Sequence, residues 1–250
     1  MKSKKVRTII VISLLSLSLI AFIYSIFNII GWYIDGKKNE KLNEEIYSAL
    51  DMGNNDNDQG LNEDISNEPN LAKLKELNSE TVAYIKVNGT NIDYPVVKHK
   101  DNFYYLTHSF DKSYNQYGWI YANYENKFDG TDRNITLFGH NMKNGSMFGS
   151  LKNVLTSTWQ NNEENLEVLF IIGEEAYTYK VFSTYKIYKE EYFATANFAS
   201  DSDFKKFIDT IKKRSNKNYK VDVNITDQIL TLSTCYKDNN YRVILHAKKL

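Results

Sequence analysis

An uncharged run from Thr8 to Ile34, dominated by Ile, Leu, Val and Phe, sets the first limit on how this chain can fold. As a helix it exceeds the roughly 20 residues that cross a bilayer. Lys2, Lys4, Lys5 and Arg7 precede it, and cations are retained on the cytoplasmic side, so the N-terminus is expected inside and the rest outside. A cleavable signal peptide is the competing reading, but its apolar region is typically about 7–15 residues long and ends at a small-x-small site. The stretch Phe27-Asn28-Ile29-Ile30-Gly31-Trp32 offers no clean site of that kind. The expectation is therefore a basic cytoplasmic tail over residues 1–7 and an uncleaved, single-pass membrane anchor over residues 8–34.

The chain has 250 residues, of which 42% are apolar, enough for one domain with a real core plus appendages. Its formal net charge is zero, and removing the four N-terminal cations leaves a body of −4 (0 − 4). A mildly acidic body argues against nucleic acid as a partner. Tyr is abundant at 19 and Pro scarce at 2, a balance that suits half-buried strands better than a disordered chain.

Lys38 to Leu50 reads as a short amphipathic helix, with Leu42, Ile46 and Leu50 at a spacing of four. Asp51 to Gly60 is polar and acidic and is expected to be a solvated linker, so residues 35–70 form a helix-and-linker region and residues 71–250 the folded body. That body opens with a short helix over Leu71 to Leu77. Strand-like runs follow at Val82–Val87, Ile92–Val97, Trp119–Tyr121, Asn134–Phe138, Leu166–Ile172, Ala176–Lys189, Lys220–Ile225, Ile229–Ser233 and Tyr241–Ala247. The first two are joined through Asn88-Gly89, a hairpin-turn dipeptide. The count predicts a mainly β fold, a closed or nearly closed barrel. Between them, Phe204, Phe207, Ile208 and Ile211 recur at helical spacing, predicting an inserted amphipathic helix over Asp203 to Arg214.

An exported protein meets oxidising conditions, where cysteines usually come in pairs, yet this chain has one, Cys235. It can link to a partner, act as a buried apolar residue, or react. Cys235 ends the run Ile229 to Thr234, and the next strand opens with Tyr241-Arg242, so a hairpin would set Arg242 beside it. A fixed cation beside a thiol favours the nucleophilic thiolate, and Arg offers several donors to an oxyanion. The plainer alternative makes Arg242 a surface charge paired with Asp238. Cysteine catalysis also needs a proton carrier. His140 ends the buried-looking run Ile135 to Gly139. His99 and His108 lie in polar loops, and His246 falls inside the terminal strand, where a structural role fits better.

The segments Leu137-Phe138-Gly139-His140-Asn141-Met142 and Thr231-Leu232-Ser233-Thr234-Cys235, followed by Arg242, resemble the signature segments of the sortases, specifically class B. Gly89 to Val97 and Gly145 to Leu151 are similar to that class as well, and the resemblance covers roughly Leu71 to Leu250. It implies an eight-stranded β-barrel with peripheral helices, and a cysteine transpeptidase. Cys235 would attack the bond after the Thr of a C-terminal sorting motif on a surface protein. His140 would handle the protons, Arg242 would steady the oxyanion, and an amine of peptidoglycan or a pilin would resolve the thioester. Asn102 and Ser233 would line the substrate pocket, with ordinary loop and strand hydrogen bonding as the alternative. Some class B members carry an acidic residue two positions after the cysteine; here Lys237 stands there and Asp238 follows, so a carboxylate orienting His140 is not expected. A cysteine hydrolase and an inactive membrane-tethered binding module remain as competing readings. No zinc-type Cys/His cluster, phosphate loop or dinucleotide fingerprint is present in the sequence, and no cofactor is expected.

Overall fold

The computed structural model describes residues 2–50, 69–236 and 240–250, and the chain divides into two compact units, residues 1–41 and 42–250. The linker expected over Asp51 to Gly60 lies outside the described residues, as do Lys237 and Asp238. One helix, α1, runs from Lys2 to Ala49. The expected anchor and the short helix after it are thus a single element; Gly36, the one break signal between them, costs a helix interior only about 1 kcal/mol. The helix is long and apolar enough to cross a membrane. Ser16 and Ser25 donate their hydroxyls to carbonyls one turn back, at 2.9 Å each, which pairs these polar groups within the helix itself. Ile46 and Leu50 are buried in the core of the second unit, where the Tyr47 hydroxyl donates to the Asp93 carbonyl at 2.7 Å.

The second unit is a closed eight-stranded barrel. Its strands are β1 (Thr81–Val87), β2 (Ile92–Val97), β3 (Tyr121–Ala122), β4 (Asn134–Phe138), β5 (Glu167–Ile172), β6 (Glu175–Tyr188), β7 (Ile229–Tyr236) and β8 (Tyr241–Lys249). Around the barrel they run β1-β2-β3-β4-β7-β8-β6-β5. The β2/β3 and β4/β7 pairs are parallel and the others antiparallel. A short helix, α2 (Leu71–Leu77), is capped by the Asn70 side chain, which accepts from the amides of Ala72 and Lys73. After α3 (Ser157–Gln160), α4 (Asp201–Arg214) lies in the β6–β7 connection, starting on its cap Ser200.

Alternation along the strands divides the side chains between two apolar clusters. Leu230, Leu232, Val243, Leu245 and Ala247 join the larger cluster, together with Trp119 and Phe170. Ile229 and Ile244 point the other way, under α4, and pack with Phe204, Phe207, Ile208 and Ile211. The periodic apolar face of α4 is therefore the lid of one sheet face.

One expected strand is absent. Lys220 to Ile225 pairs with no strand: Lys220 takes a left-handed φ of 57°, and Asn224 to Asp227 forms a turn in which Asp227 accepts from the Asn224 amide at 2.8 Å. Each strand of a closed barrel already has two neighbours, so the segment finds no edge to join. Its alternating valines serve α4 instead, with Val221 and Val223 packing into the smaller cluster.

Candidate active site

Three neighbouring strands bring the sequence candidates together. β7 continues through Tyr236, three residues past the expected strand Ile229–Ser233, so Cys235 lies within a paired strand and faces Arg242 directly across the antiparallel ladder. Because Ile229 and Ile244 define the α4 side, Cys235 (six residues after Ile229) and Arg242 (two before Ile244) fall on that same side by the twofold strand period. Both are half-buried, at the end of the ladder beyond the reach of the apolar cluster. The Arg242 guanidinium donates to the Tyr241 carbonyl at 3.1 Å.

On the other flank of β7, the parallel pairing with β4 ends at Phe138–Ser233. It is prolonged by Thr234, whose hydroxyl donates to the Gly139 carbonyl at 2.7 Å. Continuing that register by two sets His140 level with Cys235. A Cβ on Gly139 would come within 2.5 Å of Ile120 and 2.8 Å of Phe148, so the residue before His140 has to be glycine for the chain to pass. Ring nitrogen Nε2 of His140 lies 2.8 Å from the Leu106 carbonyl. A carbonyl only accepts, so Nε2 carries the hydrogen and Nδ1 is the nitrogen left for exchange with a substrate or the thiol.

The Leu106 carbonyl is itself held in place. It belongs to a 3-10 turn, Tyr104–Leu106, that stacks between two histidines, with Tyr104 4.4 Å from His99 and 4.0 Å from His108 by ring centroids. Gly118 closes against the same turn: with φ of 57°, it leaves room for the Tyr105 carbonyl where a Cβ would stand only 2.3 Å away.

Tyr121 is a neighbour that reasoning from the sequence did not single out. It pairs with Phe138 across β3/β4, their rings 5.4 Å apart, and is 7% exposed. Burial pushes its hydroxyl above the usual phenol range, a negative charge on Cys235 pushes it further, and Arg242 pulls it back, so the ring senses both members of the pair. Of the remaining candidates, Ser233 lies on the Cys235 face but is only 2% exposed. Asn102 spends its amide on the loops around it, donating to Asn123 at 3.2 Å and accepting from the Tyr124 amide at 2.9 Å. Among the described residues no group of His, Cys, Asp and Glu could hold a metal ion.

Comparison with known proteins agrees with this architecture. The model of the family described as the sortase domain matches residues 85–250. Sortase B of Staphylococcus aureus is 29% identical over 251 residues, spanning 99% of this chain and 98% of that protein. The crystal structure of sortase B from Bacillus anthracis superposes with a TM-score of 0.72 at 30% identity, over 87% of this chain and 99% of that one. A Staphylococcus aureus sortase B–substrate complex gives a TM-score of 0.66 at 30% identity, over 72% and 83%. With its closed barrel, its Cys–Arg ladder pair and a family match over most of its length, this chain belongs to the sortase family of cysteine transpeptidases, on the class B side.

Proposed function

We propose that the chain cleaves a C-terminal sorting motif after its Thr and transfers the new acyl end, through a thioester on Cys235, to an amine of peptidoglycan or of another surface protein. The observation that supports this reading best is the pairing of Cys235 with Arg242 across β7/β8, beside the β4 strand whose extension leads into His140. Sγ of Cys235, its proton held on His140, attacks the carbonyl carbon of the Thr residue. Negative charge develops on the carbonyl oxygen, and the Arg242 guanidinium stabilises it. As the C–N bond breaks, His140 delivers the proton to the leaving amine and the thioester remains. An incoming amine then attacks the thioester carbon and passes a proton to His140, and the C–S bond breaks to release the amide.

Orientation of the imidazole falls to the Leu106 carbonyl. Ser233 and Asn102 would back the wall of the peptide groove, since Ser233 is buried and the Asn102 amide is engaged by its own loops. The first 34 residues anchor the enzyme in the cell membrane with the N-terminus inside and the catalytic body, residues 71–250, outside, the region between serving as a tether. The test presents the full-length protein in detergent with a sorting-peptide library and candidate amines. Rising amine should divert product from free acid to amide in proportion. Product that stays wholly acid at every amine concentration identifies a hydrolase and overturns the transfer.

A further inference from the structure

On the same side of the sheet as α4, the segment that failed to become a strand leaves a cleft of about 570 Å³. Lys212, Lys213, Lys217 and Lys220 line it against one acid, Asp222, over a floor that includes Phe182. Such a concentration of cations stands out in a body whose net charge, the cleft included, is −4 once the four N-terminal cations are set aside (0 − 4). The four lysines divide into two kinds. Lys212 donates to the Val221 carbonyl at 3.4 Å, and Lys217 donates to Asn161 at 2.9 Å and to the Gln160 carbonyl, so these two tie the walls together. Lys213 and Lys220 are exposed, and their ammonium groups have no partner among the described residues. Lys213 compensates the carbonyl end of α4, as basic residues in a last turn commonly do. Lys220 belongs to no helix, and its left-handed backbone, with φ of 57°, turns the chain at the cleft. Helix capping does not account for it.

We infer that this cleft binds a phosphate-bearing anion, with Lys213 and Lys220 supplying the charge. An ammonium is a compact point charge with donors in several directions, and lysine binds phosphate as such a point charge, approached from several sides. Phe182 lies five residues along β6 from Ile187, the residue paired with Arg242, a separation of about 17 Å at the strand rise. A bound phosphate chain would therefore lie on the face that carries Cys235 without touching it. The inference does not depend on the chemistry of Cys235.

The test uses the full-length protein in a neutral detergent, with linear polyphosphate as probe. Amide hydrogen exchange over residues 212–222 should slow in a saturable manner, and the protection should weaken as NaCl is raised. In the double variant Lys213→Gln/Lys220→Gln the apparent Kd should rise roughly tenfold or more. A second arm places the protein in bilayer discs of phosphatidylglycerol or of phosphatidylcholine. Protection in phosphatidylglycerol discs alone assigns the phosphate to a lipid headgroup, and protection by polyphosphate in solution assigns it to a soluble chain. No protection in either arm, or protection that the double variant retains in full, overturns the site. Cleavage of sorting peptide by the variant without polyphosphate should match the parent. If neither protein cleaves, the proposed function fails while the exchange result stands.

Discussion

The β7–β8 ladder carries two polar pairs on the same face, Thr231 with His246 well inside it and Cys235 with Arg242 near its end, and the two have opposite surroundings. His246 is fully buried and both ring nitrogens are engaged, Nδ1 with the Thr231 hydroxyl at 2.8 Å and Nε2 with the Tyr185 hydroxyl at 2.9 Å. Thr231 donates to the Asn134 side chain at 2.6 Å, so its oxygen accepts from Nδ1–H, and Nε2 accepts from Tyr185. Every polar atom of this histidine is satisfied within the protein, and Phe182 and Phe207 close over it. Four residues further along β7, beyond the apolar cover of α4, the second pair stays half-exposed. The register creates both pairs; the extent of the helical lid decides which one can meet a substrate.

Substitutions at the two pairs should therefore separate activity from stability. Cys235→Ala should abolish cleavage and transfer while the thermal midpoint stays within a degree or two, since the chain holds no other thiol; peptide turnover and calorimetry check the two halves. Arg242→Lys keeps the charge but loses the planar fork, and kcat/KM should fall by roughly 10²-fold or more. Equal rates for this variant would reduce the role of Arg242 to charge alone.

At the buried pair the effects should invert. His246→Ala removes one hydrogen bond each from Thr231 and Tyr185 and empties a ring's volume in the core, at a cost of about 3 kcal/mol, read by urea unfolding, with the rate per folded molecule preserved. Acid should act through the same residue. Burial first, and then the Arg214 charge, push the folded pKa of His246 down to about 3 from 6.5. Between those values the unfolded chain binds a proton that the folded chain refuses. The stability is thus fully present above pH 6.5 and is lost as pH falls toward 3, by up to about 1.4 kcal/mol per pH unit. Urea midpoints taken at pH 7.5, 6 and 5 should show this slope, and His246→Gln should flatten it. The smallest expected effect is at Tyr121: its hydroxyl stays neutral at working pH, so Tyr121→Phe should change kcat/KM only a few-fold and leave the pH profile in place, read by peptide turnover across pH.

Much of this site could be read from residue types. His140 and Cys235 each follow an apolar strand, the short gap to Arg242 implies a hairpin, and the 3.6-residue period of Phe204, Phe207, Ile208 and Ile211 announces α4. The partners that left no mark on the sequence are backbone atoms and long-range neighbours. The Leu106 carbonyl that orients His140 lies 34 residues away, and any residue type could supply it. Tyr121 reaches the pair only through two intervening strand contacts. The Lys220–Ile225 run alternates as a strand does, and only closure of the barrel reveals that no edge remains for it. Continuity of α1 was equally hidden, since Gly36 weakens a helix without ending one.

In the proposed reaction the half-exposed end of the ladder forms a covalent acyl-enzyme. Full-length protein mixed with a sorting peptide, quenched in acid and digested, should yield by mass spectrometry one acylated fragment containing Cys235, lost on addition of an amine with matching formation of amide. Acylation on any other residue, or peptide cleavage by Cys235→Ala at the parent rate, would contradict it.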